Sequence, residues 1–168
     1  MFVQNLSMIP HITLQSLMHP VLWYTVNNMY LDDSDTHAVL FIPDADLYNF
    51  GIITSNVHMA WMRAVCGRIK SDYRYSKDVV YNNFPWPTPT EAQKAKIEQT
   101  AQAILDARAK YPDSSLADLY DEAVMPSELR KAHQQNDKAV MQAYGFWGKL
   151  NTETECVAEL MKMYQDIQ

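Results

Sequence analysis

"SNVHMAWMRAVCGRIKSDYRYSKDVVYNNFPWP" (residues 55–87) contains a helical pattern followed by a strip of charged and aromatic residues that ends in prolines. In the first part, apolar residues recur at helical spacing: Val57, Ala60, Trp61, Ala64 and Val65. Ser55 is a residue type that caps the start of a helix, and Gly67 is one that ends it. The segment therefore predicts a helix over residues 56–67, with the charged strip beginning on its last turns.

The positive charges of the chain are concentrated in this segment. The formal net charge of the 168 residues is −6. Between residues 63 and 77, however, one acid, Asp72, stands against five basic residues: Arg63, Arg68, Lys70, Arg74 and Lys77. The average charge argues against a nucleic-acid partner, but the local distribution favours one.

Lys70, Asp72 and Arg74 alternate with uncharged residues within the strip. On an extended backbone, such alternate side chains project from one face. Lysine and arginine donate to the edge of guanine, and aspartate accepts from the cytosine amine, so these three are candidate base-reading residues. By position and charge, the candidate phosphate contacts are Arg63, Arg68 and Lys77. The alternative is a solvated edge strand whose charges prevent aggregation.

The aromatic residues that follow have a structural explanation as well. They are Tyr73, Tyr75, Tyr81, Phe84 and Trp86. Because a duplex exposes few base faces unless a base is flipped, packing of Tyr75, Tyr81 and the FPWP rings against the next domain is favoured over stacking on bases. "FPWPTP" (84–89) has three prolines in six residues, which predicts an extended, stiff linker.

The flanking segments predict an α+β fold that is mainly α overall. "AVLFIP" (38–43) is typical of a buried strand, "LYNFGIIT" (47–54) could be its partner, and residues 1–37 receive no clear assignment. A small mixed α/β recognition piece would thus cover residues 38–88 and be followed by a helical C-terminal domain, residues 89–168.

The helical domain shows clear boundary signals. Thr90 with Gln93, and Thr152 with Glu155, have the spacing of capping boxes, and Pro126 suits the first position of a helix. The predicted core consists of Ile97, Ile104, Leu105, Leu129, Val140, Leu160 and Tyr164.

Sequence signals for catalysis, cofactors, metals and membranes are missing. The four glycines form no phosphate-binding loop. "PDAD" (43–46) and "PDSSLAD" (112–118) lack the acid-x-Lys pair that completes a nuclease metal site. Cys66 and Cys156 are expected to be packing thiols of a reduced, cytoplasmic protein. No apolar run is long enough to span a membrane, and the N-terminus lacks the positive segment of a secretory signal.

Two long stretches resemble a known family. "FGIITSNVHMAWMRAVCGRIKSDYRYSKDVVYNNFPWP" (50–87) closely resembles the end of the target-recognition domain of MmeI-like bacterial DNA methyltransferases. "AQAILDARAKYPDSSLADLYDEAVMPSELRKAHQQNDKAVMQAYGF" (101–146) is similar to the helical C-terminal domain of that family. The resemblance covers roughly residues 38–168.

The resemblance implies sequence-specific recognition of double-stranded DNA within a restriction–modification enzyme. The loop and strand after the "AWMRAVCGR" helix would lie against the major groove. The methyltransferase and nuclease domains would be partners in the same or a related polypeptide, and S-adenosylmethionine and Mg²⁺ would belong to the full-length enzyme. The chain is thus expected to be a C-terminal fragment or a truncated homologue. Rival interpretations are a helical protein-interaction module with no DNA role and, less favoured, a standalone enzyme.

Overall fold

The structure, a computed structural model, describes residue 42, residues 45–69 and residues 72–167, with the backbone alone at positions 68, 69, 72 and 74. The unassigned segment 1–37 and nearly all of the strand predicted for 38–43 lie outside these residues. In chain order the elements are α1 (Leu47–Ile53), α2 (Asn56–Val65), β1 (Gly67–Ile69), β2 (Asp72–Arg74), a π-helical turn (Lys77–Tyr81), α3 (Glu91–Ala109), α4 (Leu116–Leu119), α5 (Ser127–Ala143) and α6 (Glu153–Ile167).

Residues 47–53 form a helix, so the strand prediction for 47–54 is wrong. Asp46 and Asn49 form a reciprocal cap, in which the Asn49 amide N–H donates to Asp46 Oδ1 at 2.9 Å and the Asp46 amide N–H donates to Asn49 Oδ1 at 3.2 Å. Phe50, Gly51 and Ile52 are buried in succession. A helix that is covered on all sides loses the polar positions that would reveal a helical period, and its sequence then looks like a buried strand.

The α+β assignment is not confirmed. Among the described residues, β-structure is limited to a hairpin of two three-residue strands, and the rest of the regular structure is helical. The sequence "YRYSKDVVY" (73–81) also predicts a strand or hairpin arm, which is present only at its start, because a π-helical turn occupies residues 77–81. The predicted helical character of the C-terminal part is confirmed.

The predicted helix boundaries are largely confirmed by their caps. Ser55 Oγ accepts the His58 amide N–H at 3.3 Å at the start of α2, which ends at Val65, two residues earlier than predicted. Thr90 and Gln93 form the predicted capping box of α3. Thr152 and Glu155 form the capping box predicted for α6: Thr152 Oγ1 accepts the Glu155 amide N–H at 3.2 Å, and Glu155 Oε2 accepts the Thr152 amide N–H at 3.0 Å.

The hydrophobic core contains residues from both sides of the proline segment (84–89). One buried cluster joins Ile52, Trp61, Val80 and Phe84 with Ile97, Val140 and Leu160. Because Pro85 and Pro87 are buried as well, the FPWP segment is part of the packed core and not an exposed linker. Five of the predicted core residues are completely buried, namely Ile97, Ile104, Leu129, Val140 and Leu160, whereas Leu105 and Tyr164 are partly buried.

Helix packing places residues 47–66 against the helices that follow residue 89. Helix α1 lies on α3, α3 packs along α5, and α2 packs on α6. At the α1–α3 crossing, Asn136 of α5 donates from Nδ2 to the Gly51 carbonyl at 2.7 Å. Residues 47–66, which precede the proline segment, are therefore a structural part of the helical body.

Candidate nucleic-acid interface

The β1–β2 hairpin lies in the middle of the basic strip. Its antiparallel ladder pairs Gly67 with Arg74 and Ile69 with Asp72. Asp72 and Arg74 thus occupy strand positions two residues apart, as the base-reading hypothesis requires. Lys70 lies outside the described residues, so the three-residue reading face stays a prediction.

Two hydrogen bonds from helix α2 hold the segment that follows the hairpin in the chain. His58 Nε2 lies 3.0 Å from the Tyr75 hydroxyl, and Trp61 Nε1 donates to the Val80 carbonyl at 3.0 Å. Burial lowers the pKa of His58 to about 3, so this imidazole is neutral near pH 7. Burial, with a smaller contribution from Tyr81, raises the pKa of Tyr75, which therefore keeps its phenolic proton. Both contacts are uncharged and therefore little affected by salt.

The aromatic residues after the strip pack against the protein, as predicted. The Phe84 ring meets His58 edge-on at 4.5 Å between centroids and Trp86 at 5.4 Å. Tyr144, at the end of α5, donates its hydroxyl proton to the Pro85 carbonyl at 2.8 Å. These contacts fix the chain that leaves the hairpin to the helical body.

Helix α2 is itself held at both ends by acidic residues of later helices. At its start, Asp137 of α5 accepts the Asn56 amide N–H at 2.8 Å and the Asn56 side-chain amide at 2.6 Å. Burial raises the pKa of Asp137 to about 7, opposed by the bond from the Asn56 backbone. Near its end, Arg63 donates from Nε to Glu153 Oε1 at 2.7 Å and from Nη2 to Oε2 at 2.9 Å.

The three residues predicted to contact phosphates differ in their surroundings. Lys77 begins the π-helical turn with an exposed side chain. Arg68 holds a place on β1 opposite Tyr73, and its backbone alone is described. Arg63 is 15% exposed and its guanidinium is paired with Glu153. The phosphate role of all three stays a prediction.

Sequence reasoning missed the supporting residues of this site. Glu153 is 90 positions from Arg63 along the chain, and Asp137 is 81 positions from Asn56. The packing predicted for Tyr75 does not include its bond to His58, which lies 17 positions away in the chain. No local motif encodes such long-range pairs.

The described ranges contain no group of three or more histidine, cysteine, aspartate or glutamate residues able to hold a metal ion. Cys156 is buried, which together with Glu153 raises the pKa of its thiol to about 12, and Cys66 is partly buried. Within the same ranges, no helix is long and apolar enough to cross a membrane.

Two family models match successive parts of the chain. The model of the MmeI target recognition domain matches residues 22–88, and the model of the MmeI C-terminal domain matches residues 89–168. The sequence resemblance begins at about residue 38, and the first match extends the similarity toward the N-terminus, to residue 22.

Two relatives agree with these matches. DNA methyltransferase A of Bacillus subtilis (strain 168) is 39% identical over 142 residues, which are 83% of this chain and 16% of the relative. The solved structure of the type IIL restriction–modification enzyme MmeI in complex with DNA is similar with a TM-score of 0.71 and 53% identity. That match covers 75% of this chain and 17% of the MmeI chain. The chain thus spans about a sixth of the length of each relative.

Proposed function

This chain belongs to the MmeI family, and from that membership we propose that it recognises a specific sequence of double-stranded DNA. It acts as the specificity portion of an enzyme that modifies and restricts DNA. The observation that carries the proposal is a hairpin within a basic strip, fixed on a helical body, in a chain 53% identical over its matched part to a protein solved with DNA.

The packing of the hairpin supports this role. A base-reading element has to be held in place, because the hydrogen bonds that discriminate bases depend on position and direction. Tyr75 follows the hairpin directly and bonds to the buried His58, and Val80, in the π-helical turn, bonds to the buried Trp61. A strand whose charges served only solubility would not need such anchoring.

Lys70, Asp72 and Arg74 are proposed to read bases in the major groove. Lys70 donates to the acceptors of a guanine, Asp72 accepts from the amine of a cytosine, and the two together specify one G·C pair or two neighbouring pairs. Arg74 donates to a second guanine or holds Asp72 through a salt bridge. The strand positions of Asp72 and Arg74, two residues apart, are compatible with this arrangement.

The chemistry of modification and cleavage belongs to other parts of the polypeptide. We propose that S-adenosylmethionine and Mg²⁺ serve the methyltransferase and nuclease domains of the full-length enzyme. These domains are the chain's protein partners, and its compartment is the cytoplasm, where the DNA of a bacterium lies.

Selection of bound duplexes from a random pool tests the function. The expected result is one enriched sequence, bound with an affinity that falls steeply as salt rises, because phosphate contacts release counterions. Failure to enrich any sequence would refute the proposal. Association with a protein partner, insensitive to salt and without DNA binding, would establish the helical interaction module instead.

Exchanging the charges of the reading pair is expected to change the selected base. In the double variant Lys70→Glu with Asp72→Arg, the donor and the acceptor trade places, so the preferred base pair at one site position should change. A good base contact discriminates by about 1–3 kcal/mol. The exchange leaves net charge unaltered, which excludes a general electrostatic effect. An unchanged selected sequence would return the strip to the solvated-edge alternative.

Removal of a phosphate contact is expected to weaken binding to all sequences alike. Lys77→Ala and Arg68→Ala should each reduce the slope of log affinity against log salt by about 0.9 while the selected sequence stays the same. The slopes are measured by titrating selected and unrelated duplexes at several salt concentrations. A variant that changes the selected base without changing the slope would assign its residue to base reading.

A further inference from the structure

The Arg63–Glu153 ion pair joins the last turn of α2 to the first turn of α6. Both carboxylate oxygens accept from one guanidinium, at 2.7 Å from Nε and 2.9 Å from Nη2. The two side chains are 15% and 35% exposed. A two-point pair of this geometry fixes the mutual orientation of its partners, unlike an exposed pair with a single contact.

This pairing leaves Arg63 poorly suited to contact a phosphate. Glu153 occupies two of the five N–H groups of Arg63, and its carboxylate offsets the positive charge that would attract a phosphate. The hairpin begins at Gly67, four residues after Arg63. Arg63 therefore lies at the base of the hairpin and not on its open surface.

The orientation of α2 sets the position of the whole hairpin. The strand β1 follows α2 directly, and the segment after β2 is bonded back to α2 through His58 and Trp61. Helix α6 contacts α2 through the same Trp61, whose ring lies 5.8 Å from that of Tyr164. The Glu153 contact acts at the end of α2 that is nearest to the strands.

We propose that Glu153 is a positioning residue for DNA reading: through Arg63, it fixes the end of α2 on α6 and so sets the position of the β1–β2 hairpin against the base pairs. The inference rests on the proposed function. Glu153 governs discrimination between sequences and leaves the general attraction to the DNA backbone unchanged. Arg63 then acts through the protein and not through a phosphate.

The first test compares specific with non-specific binding for Glu153→Gln and Arg63→Ala. Both variants should lower the ratio of affinities for the selected and an unrelated duplex by about tenfold, the size of one good base contact. The affinity for the unrelated duplex and the salt slope should stay the same. Arg63→Glu with Glu153→Arg, which reverses the pair, should restore most of the ratio.

Glu159→Gln is the matched control. Glu159 lies on the same helix and forms an exposed pair with Lys162 at 2.6 Å. Like Glu153→Gln, this substitution removes one negative charge, but it leaves the α2–α6 contact in place. It should therefore not alter the ratio of affinities for the selected and the unrelated duplex. Lys77→Ala should reduce the salt slope, as expected of a phosphate contact.

Two outcomes of the binding measurements overturn the inference. One is an affinity ratio for Glu153→Gln equal to that of the unaltered chain. The other is a salt slope reduced by about 0.9 in Arg63→Ala but not in Glu153→Gln, which would assign Arg63 to a phosphate.

Hydrogen exchange of the free protein tests the same inference without DNA. Amides of residues 67–69 and 72–74 should exchange roughly tenfold faster in Glu153→Gln, while those in the middle of α3 should not change, because loss of the contact allows local opening. Equal hairpin exchange in both proteins would overturn the inference. If the unaltered chain selects no sequence, the proposed function fails, and this measurement still decides whether Glu153 holds the hairpin.

Discussion

The free energy of unfolding of the Leu160→Ala variant is expected to be about 2–5 kcal/mol lower than that of the unaltered chain, because the substitution opens a cavity in the core. Leu160 is completely buried and belongs to the cluster that joins α2, α3, α5 and α6. The melting temperature should fall by roughly 5–15 °C. Urea unfolding followed by circular dichroism measures the free energy.

Val124→Ala is the control for this prediction. Val124 is 64% exposed, so the loss of its methyl groups should change stability by less than about 0.5 kcal/mol. If Leu160→Ala melts like Val124→Ala, then α6 does not pack on the core as described. The positioning role of Glu153 would lose its structural basis with it.

Gly51→Val is expected to destabilise the protein by roughly 3 kcal/mol, the upper part of the range for overpacking. A Cβ atom at position 51 would lie 2.6 Å from Ile97 Cγ2 and 3.1 Å from Asn136 Oδ1. Ile97 is completely buried, so its methyl group cannot move aside without displacing α3. The bond from Asn136 Nδ2 to the Gly51 carbonyl would lengthen as well.

Gly67→Val provides the matched comparison. Apart from the two chain neighbours of Gly67, no heavy atom of the described residues lies within 4 Å of a Cβ at position 67, and valine favours a strand such as β1. This variant should keep the stability of the unaltered chain within about 0.5 kcal/mol. A Gly51→Val protein as stable as Gly67→Val would contradict the close crossing of α1 and α3.

The packing of residues 47–66 changes how the two matched segments are understood. The family models meet between residues 88 and 89, yet Trp61 and Val80 share one core with Val140 and Leu160. The hairpin is thus carried by a helical body built from both segments. A substitution in α5 or α6 is therefore expected to alter the proposed DNA reading through the contacts of α2, which is the basis of the Glu153 prediction.

The sequence by itself determined the features that depend only on residues close together in the chain. The caps at Ser55 and Thr90, and the helical period of α2, are local patterns, and the structure confirms the helices that they predict. The concentration of basic residues between 63 and 77 is likewise a property of composition, and with the family resemblance it indicated DNA.

The tertiary structure alone decided which pairs meet and which apolar run is helical. Residues 50–53 are buried in succession within a helix that packs on α3 and α5, so this stretch has no polar positions that would show a helical period. The charge of Arg63 is visible in the sequence and predicts a phosphate contact, whereas its partner Glu153 is 90 residues away and is found only in the folded chain. Such contacts depend on how the helices pack, and no spacing along the chain encodes them.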